Sequence, residues 1–301
     1  QAALCLEVSV AGEMAETGKG GNALLGLAAR AGFARQLWAI RRAARDPRVR
    51  AVLVHLRANG LGWARSEELM QALRAFRASG IPVIASIETA DLKALMIASA
   101  ADETHIHESA QVRTAGPAMV ATFYTGLLEK IGLRARLLYR SEYKTAAQSV
   151  TEREMTPAHR ESATRVIDVI RERAITVIAS NRALPPERIR GWLARGLMTP
   201  REAVREGVAA GTTSYDAIRR TIAARGLRLS PPAAWLEQPA GFSPAPAIAL
   251  VHVEGTIVNG QGGMPRIPFG ETAAGADEVV RALAQAGSDP AVKGVIVRVQ
   301  S

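Results

Sequence analysis

Lysine is scarce in this basic chain, and one lysine stands where it could act as a base. The 301 residues contain 33 Arg and only 5 Lys. Arginine keeps its proton, whereas a lysine in a suitable environment can lose one and then accept another. Lys144 lies in the stretch RSEYKTAAQSV, just after a predicted strand at Arg134–Tyr139. Because the C-terminal ends of parallel strands present functional residues, Lys144 is a candidate general base; an ordinary surface charge is the alternative.

Other residues with chemical potential form weaker patterns. His105 and His107 are two apart on a predicted strand, so they share a face and could bind a metal, but no third ligand is evident. The glycine-rich stretch GKGGN lacks the Ser or Thr that follows lysine in a phosphate-binding loop. The single Cys5 excludes an intrachain disulfide. We therefore predict no metal and no cofactor.

Composition argues against two classes of partner or location. The formal net charge is +10, but the arginines are scattered along amphipathic segments and aromatic residues make up only 4%, so we predict no nucleic-acid binding. The uncharged run from Thr114 to Leu128 is shorter than the ~18 residues of a membrane-spanning helix. A signal or anchor that precedes Gln1 is compatible with this pattern.

Short β-branched runs alternate with longer helical patterns, which predicts an α/β fold with parallel strands. In the first third of the chain the predicted order is strand, helix, strand, helix, strand, at Leu4–Val10, Phe33–Arg45, Ala51–Leu56, Ser66–Ala78 and Pro82–Ile87. Further on we expect a strand at Thr104–His107, a helix at Phe123–Ile131 and the strand at Arg134–Tyr139. A long helix is predicted from Thr156 to Asn181, with Thr156 as N-cap and Pro157 in the first turn.

The chain contains an internal repeat of domain size. The phrase DPRVRAVLVHLRA at Asp46 returns without a gap as DPAVKGVIVRVQS at Asp289, and Val8–Gly12 matches Val251–Gly255 at the same separation of 243 residues. We therefore predict a first domain at 1–229 with a helical extension at about 151–225, a proline-rich linker at 230–246, and an incomplete second copy at 247–301. The repeated strand runs at Val251 and Val295 should pair in parallel within one sheet.

Several stretches resemble one protease family. The phrase YKTAAQSVTEREMTPAHRE is similar to the segment that follows the catalytic lysine in signal peptide peptidase A, also called protease IV. Ala98-Ser99-Ala100-Ala101-Asp102 resembles a second element of that family, and Asp289–Val299 resembles the strand before its Pro-Gly-Gly loop. The duplication matches the long, tandem-domain form. The resemblance implies a crotonase/ClpP-like βαβ domain, duplicated, with the second copy truncated.

The resemblance implies a serine protease with a Ser-Lys dyad assembled across the repeat. The first copy would supply the base, Lys144, and the second copy the serine, which we expect beyond residue 301. In the first copy, Lys93 falls where the serine would be, and Arg57–Gly60 replaces the Pro-Gly-Gly loop, so an oxyanion hole is not expected there. Whether Glu142 or Tyr143 lies nearer to Lys144 is left open.

Family resemblance also implies substrates, partners and location. The substrates would be cleaved signal peptides and other apolar peptides, and the protein would be a homo-oligomer, a tetramer in the long form. It would be associated with the bacterial inner membrane on the periplasmic face. Two alternatives are a noncatalytic scaffold relative of the same family and a crotonase-type acyl-CoA enzyme with related architecture. The residues after Ser301 would distinguish the scaffold relative from the protease. Binding of coenzyme A would identify the acyl-CoA enzyme.

Overall fold

The computed structural model describes residues 2–12, 14–16, 32–138, 140–236, 246–262 and 273–301. The chain forms two compact units. One consists of Gln1–Val8, Gly12–Ala51 and Gly226–Ser301, and the other of Ser9–Ala11 and Val52–Arg225. The glycine-rich stretch GKGGN at 18–22 lies outside the described residues.

The unit that carries Lys144 is built on parallel strands with helices between them. Its elements are β2 (Val49–Asn59), α2 (Trp63–Ala78), β3 (Val83–Ala90), α3 (Leu92–Ala98), β4 (Glu103–Arg113), α4 (Thr125–Lys130), α5 (Gln148–Thr151), α6 (Pro157–Arg182), α7 (Pro186–Arg195), β5 (Leu197–Met198), α8 (Pro200–Arg205), β6 (Gly211–Thr212) and α9 (Tyr215–Ala224). β3 pairs in parallel with both β2 and β4. β4 also pairs antiparallel with β5 and parallel with β6. The predicted α/β class is confirmed.

Burial explains why β2 is not amphipathic. Val52, Leu53 and Val54 are consecutive on β2, so their side chains alternate between the two faces of the sheet, yet all three are fully buried. Parallel sheets are covered by helices on both faces, so their strands are apolar without interruption. The predicted β2, α2 and β3 were placed within a few residues, whereas the strand predicted at Thr104–His107 continues to Arg113 as β4.

The long helix α6 begins and ends at residues with recognisable capping conformations. The Thr156 side chain accepts a hydrogen bond from the backbone N–H of His159, and Pro157 occupies the first turn, where a missing N–H costs nothing. The helix ends where Ala183 adopts a left-handed conformation, with φ of 52°. Both the predicted N-cap and the predicted length of this helix are confirmed.

The predicted strand at Arg134–Tyr139 is wrong. Residues 133–138 have no regular secondary structure, and Tyr139 lies outside the described residues. The alternation of Arg134 and Arg136 with apolar neighbours imitates a half-buried strand. A strand needs a partner for its backbone hydrogen bonds, however, and no described strand pairs with this segment. Lys144 therefore does not follow a strand of the sheet.

The other unit contains the chain ends and the predicted second copy. Its elements are β1 (Leu4–Gly12), α1 (Phe33–Ala43), β7 (Arg228–Ser230), a short 3-10 helix (Pro232–Trp235), β8 (Ala247–Glu254), β9 (Thr256–Val258), β10 (Ala273–Gly275), α10 (Ala276–Ser288) and β11 (Val292–Gln300). β1 pairs in parallel with β7, and β9 with β10. β8 and β11 are parallel, with Val297 opposite Val251, so the expected pairing of these runs is confirmed. The duplication and the domain boundaries at 229 and 247 stay predictions.

The first of the two repeated Asp-Pro phrases carries a stabilising carboxylate. Asp46 accepts hydrogen bonds from the Arg48 guanidinium at 2.6 Å, from the Arg48 backbone N–H at 2.9 Å and from the Trp235 indole N–H at 3.0 Å. The hydrogen bond from the Arg48 side chain is the main reason that the pKa of Asp46 lies well below its usual range. Ionised Asp46 therefore holds the 3-10 helix against the turn before β2.

We expect Asp46→Asn to lower the free energy of unfolding by about 1–2 kcal/mol at pH 7, because the amide NH₂ cannot accept the Trp235 N–H and carries no charge for Arg48. The folded-state pKa is depressed, so this stabilisation is present above the unfolded pKa of ~3.9 and is lost as the pH falls below it. Denaturant unfolding at pH 7 and at about pH 3 should show the difference between variant and wild type narrowing in acid.

Asp289→Asn is the matched control for this variant. The Asp289 carboxylate accepts a backbone N–H from Ala291 at 2.8 Å, which an Asn side-chain oxygen can also accept. Asp289→Asn should lower the free energy of unfolding by less than Asp46→Asn does, both at pH 7 and at about pH 3. An Asp46→Asn loss that is equal at pH 7 and in acid would contradict the role assigned to the charge.

Candidate functional site

Lys144 lies in an exposed turn on a long connection between β4 and α5. Its backbone N–H donates to the Ser141 carbonyl at 3.1 Å, and its side chain is exposed. Among the described residues from 115 to 147, which we call the arm, none is buried. Lys144 is thus presented to solvent by a segment that stands outside the core of its own unit.

Tyr143 attaches the turn before Lys144 to helix α6. Its hydroxyl donates to the Glu161 carboxylate at 2.9 Å. This hydrogen bond, together with the negative charge of Glu161, raises the pKa of Tyr143 above its ordinary value. The phenol is therefore engaged with α6, and its ionisation is opposed.

Gln148 fixes the chain directly after the turn. Its side chain is buried, and its Oε1 atom accepts a hydrogen bond from the Thr156 hydroxyl at 3.1 Å and lies 3.1 Å from His159 Nδ1. Thr156 is the N-cap of α6, so the start of α6 and the segment that carries Lys144 are positioned by one amide. The sequence analysis missed Gln148, because no spacing rule links an amide to a cap eight residues away.

Three further contacts hold the arm at residues 123–125. The Tyr124 backbone N–H donates to the Ser149 carbonyl at 2.6 Å, and the Thr125 hydroxyl donates to the Glu152 carbonyl. The Phe123 ring lies 6.2 Å from the ring of His159 in a tilted arrangement. The arm is therefore held against α5 and the start of α6 at this point, and apolar residues before and after it are exposed.

Lys93 occupies the position at which the resemblance would place a serine. It lies in the first turn of α3, directly after β3, and its Nζ donates to the Leu61 carbonyl at 2.9 Å and lies 3.7 Å from Asp91 Oδ2. Asp91 caps the same helix by accepting the Ala94 N–H at 2.7 Å. The Lys93 amine and the Asp91 carboxylate therefore lie at this edge of the sheet, and both have hydrogen-bond partners.

In the loop after β2, both backbone groups of Leu61 are already hydrogen-bonded. The Leu61 carbonyl receives Lys93, and the Leu61 N–H donates to Asn59 Oδ1 at 3.1 Å. An oxyanion hole needs free N–H donors aimed at the developing charge. In this loop the Leu61 N–H is already used and the neighbouring carbonyl would repel an oxyanion.

The histidines have partners other than metals. His105 Nε2 lies 2.9 Å from Glu103 Oε1, and His107 Nδ1 lies 2.8 Å from Ser109 Oγ. Within the described ranges, no cluster of three or more His, Cys, Asp or Glu residues could hold a metal ion.

His55 on β2 is buried and contacts both β3 and α9. His55 Nε2 lies 2.8 Å from Glu88 Oε1, and its ring stacks on Tyr215 with centroids 3.6 Å apart. Ser86 pairs across the strands with both His55 and His105, but its side chain is buried. The Ser86 hydroxyl is therefore not presented at the surface, and the stacking of His55 on Tyr215 holds α9 against the sheet.

Among helices of the described segments, none has the length and apolar character needed to cross a membrane.

Comparison with known proteins gives consistent family matches. The chain is 24% identical over 285 residues to Protease 4 of Haemophilus influenzae, 88% of this chain and 45% of that protein. It is 28% identical over 152 residues to Protease 4 of Salmonella typhi, 50% of this chain and 25% of that protein. It is 26% identical over 129 residues to the chloroplastic serine protease SPPA of Arabidopsis thaliana, 43% of this chain and 19% of that protein. The chain thus spans less than half the length of these relatives.

Similarity to solved structures is weaker. A membrane-bound stomatin-specific protease, solved as a mutant, aligns with 12% identity and a TM-score of 0.43 over 80% of this chain and 100% of that chain. A monofunctional enoyl-CoA isomerase from M. smegmatis aligns with 19% identity and a TM-score of 0.39 over 65% of this chain and 69% of that chain. These TM-scores add nothing to the α/β class that the sheet itself establishes.

A family model matches the region that holds the arm, Lys144, α6 and Lys93. The description of the family is Peptidase family S49, and the match covers residues 75–227, just over half of the chain. Since the match includes every element that positions Lys144, the chain belongs to peptidase family S49.

Proposed function

We propose that this chain contributes the general base of a serine endopeptidase of the Ser-Lys type, which degrades cleaved signal peptides and other apolar peptides. Lys144 is the base, and a second copy of the domain supplies the serine. Membership of peptidase family S49 and the relatives named Protease 4 support the peptidase activity. By the same resemblance, the intact protein works as a homo-oligomer, a tetramer, on the periplasmic face of the bacterial inner membrane.

The observation that carries the proposal is the division of roles between two lysines. Lys93 is tied to the Leu61 carbonyl at the place where a nucleophile would be expected, so this copy offers a satisfied ammonium instead of a hydroxyl. Lys144 is exposed on the arm and free to meet another surface. A complete dyad therefore needs a nucleophile from elsewhere.

The proposed chemistry also requires that the surface which brings the serine lower the pKa of the Lys144 amine. A lysine in water has a pKa of ~10.4, and a general base near neutral pH works best at about 7–8. The difference corresponds to roughly 3–5 kcal/mol of bias toward the free amine. Covering an exposed amine with an apolar surface supplies bias of this sign, because burial disfavours the charged form.

In the proposed reaction, the free amine of Lys144 takes the proton of the serine hydroxyl as the serine oxygen attacks the peptide carbonyl carbon. The amine then returns that proton to the leaving amino group as the peptide C–N bond breaks. The same amine takes a proton from water as the water oxygen attacks the acyl carbon, and returns it to the serine oxygen as the ester bond breaks. The N–H donors for the oxyanion come from the copy that holds the serine, because the Leu61 N–H is already used.

The natural full-length protein provides the test. It should hydrolyse fluorogenic peptides with apolar side chains, and a fluorophosphonate probe should label one serine and stop hydrolysis. A protein that shows neither turnover nor labelling would support the noncatalytic scaffold instead. Saturable binding of coenzyme A without peptide hydrolysis would support the acyl-CoA enzyme.

A further inference from the structure

Gln148 is the residue at which the chain returns to the interior after the arm. It is 1% exposed, whereas every described residue from 115 to 147 is at least partly exposed. A buried side-chain amide is costly unless its polar atoms are hydrogen-bonded. The partners of this amide therefore decide where the segment that carries Lys144 is held.

The Gln148 side-chain oxygen contacts two residues at the start of α6. The Thr156 hydroxyl donates to Gln148 Oε1 at 3.1 Å, and His159 Nδ1 lies 3.1 Å from the same atom. Because Oε1 is an acceptor, this contact selects the His159 tautomer that carries its proton on Nδ1. One amide oxygen is thus bound to the N-cap and to the third residue of the helix.

Tyr143 forms a second attachment on the other side of Lys144. Its hydroxyl donates to the Glu161 carboxylate, which lies on the same helix. Loss of this exposed contact can be compensated by water, whereas loss of the buried Gln148 contact leaves donors without a partner. Lys144 therefore lies between two attachments to one end of α6, of which Gln148 is the stronger.

This arrangement fixes the backbone at Lys144 while its side chain stays exposed. A general base must lie within hydrogen-bond reach of the hydroxyl whose proton it takes, and a displacement of about 1 Å can cost ~100-fold in rate. We propose that Gln148 is a positioning residue of the peptidase, whose amide oxygen holds the turn so that the Lys144 amine reaches the serine. The inference rests on the proposed function and assigns a role to a residue that touches neither substrate nor reacting atoms.

Gln148→Met in the natural full-length protein tests this role. Methionine is close to glutamine in length, but its thioether is only a weak acceptor. We expect kcat for apolar peptides to fall about 10–100-fold while KM stays within a few-fold of wild type, because the base is displaced and the groups that bind substrate are unchanged. Normalising kcat to the serines that a fluorophosphonate probe labels at completion removes the contribution of any unfolded fraction.

Gln148→Glu is the conservative variant, since a carboxylate can accept the same two hydrogen bonds. It should keep kcat within a few-fold of wild type. Gln71→Met is the matched control, because Gln71 is exposed on α2 and its amide donates to Glu67 at 3.3 Å, outside the arm and α6. It should leave both kcat and KM unchanged.

His159→Phe tests the same contact from its other side and serves if Gln148→Met does not fold. Phenylalanine keeps a ring beside Phe123, whose ring lies 6.2 Å from that of His159, but it cannot donate to Gln148. We expect kcat to fall by a smaller factor than in Gln148→Met, since the Thr156 hydroxyl still donates to the amide. KM should again stay within a few-fold of wild type.

Hydrogen exchange on the 301 residues follows the turn without any need for activity. The Lys144 N–H donates to the Ser141 carbonyl at 3.1 Å, and the Gln148 N–H donates to the Thr145 carbonyl at 2.9 Å. In Gln148→Met the backbone amides of residues 141–149 should exchange about tenfold faster than in wild type, because the turn opens more often. Gln148→Glu and Gln71→Met should exchange at the wild-type rate.

The outcomes separate this inference from the proposed function. Wild-type kcat in Gln148→Met and in His159→Phe, or unchanged exchange of residues 141–149 in Gln148→Met, would overturn the positioning role and leave the peptidase in place. A kcat in Gln148→Glu as low as in Gln148→Met would exclude the acceptor as its cause. Absence of hydrolysis by the wild-type full-length protein would overturn the proposed function and, with it, the catalytic consequence assigned to Gln148.

Discussion

Lys144→Arg in the natural full-length protein is expected to lower kcat/KM for apolar peptides by at least ~10³-fold. A positioned general base contributes about 10²–10⁴-fold, and an uncharged nucleophile without its base is nearly inert. Arginine keeps the positive charge and much of the length of lysine, but its guanidinium does not release its proton to become a base. The measurement is the initial rate of fluorogenic peptide hydrolysis at several pH values, for wild type and variant at equal concentration.

Lys93→Ala is the matched control for Lys144→Arg. It removes a lysine whose amine contacts a carbonyl and a carboxylate and does not take part in the proposed chemistry. We expect Lys93→Ala to keep kcat/KM within a few-fold of wild type. In the 301 residues, where the Lys144 side chain is exposed, Lys144→Arg should leave the unfolding midpoint unchanged, so the substitution itself does not disrupt the fold of this unit. Wild-type turnover by Lys144→Arg would exclude Lys144 as the base.

The 301 residues by themselves are expected to show no peptidase activity, whatever the quality of their folding. By the resemblance, a lysine stands where the nucleophile would be, and the Lys93 amine is bound to the Leu61 carbonyl. Peptide hydrolysis and fluorophosphonate labelling should both be absent for this chain. Both should be present for a longer protein in which a complete second copy follows these residues.

Adding the second copy as a separate polypeptide gives the sharper version of this experiment. If the dyad forms across the two copies, the mixture should regain labelling of a serine on the added polypeptide, and the gain should disappear with Lys144→Arg. Hydrolysis by the 301 residues unaided would mean that the dyad across two copies is wrong.

The sequence by itself determined the regular elements of the sheet and its helices. Periodicity placed β2, β3 and α2 within a few residues, because the spacing of apolar residues along the chain follows from which side chains each element buries. The cap of α6 was predictable because a threonine followed by proline encodes a helix start in two adjacent residues. Parallel pairing of β8 with β11 followed from a strand, helix, strand order. The crossover in such a unit is almost always right-handed.

Local pattern failed where a segment has the spacing of a strand but no neighbour. The stretch 134–138 alternates basic and apolar residues, yet its side chains are mostly exposed and its backbone pairs with no described strand. Alternation predicts only that a segment could lie half-buried on a sheet. Whether a sheet edge is available to it depends on the rest of the fold.

The candidate site also combines features that the local sequence predicts with features that depend on residues distant in the chain. The sequence singled out Lys144, since lysine is rare here and the surrounding phrase resembles a family motif. Its exposure on the arm, and the buried Gln148 that fixes the chain behind it, came only from the tertiary structure. The contacts of Gln148 reach Thr156 and His159, and a side-chain amide carries no sequence signal for such partners.

Only the tertiary structure decided what Lys93 and His55 do. The Lys93 amine meets the carbonyl of Leu61, 32 residues away in the chain, and His55 meets Glu88 on the next strand. Each contact joins elements that the sheet brings together, so neither partner can be found from spacing along the chain. The sequence determined which residue types are present and which local elements they form, and the packing of those elements determined which polar groups are satisfied and which, like Lys144, remain exposed to a partner.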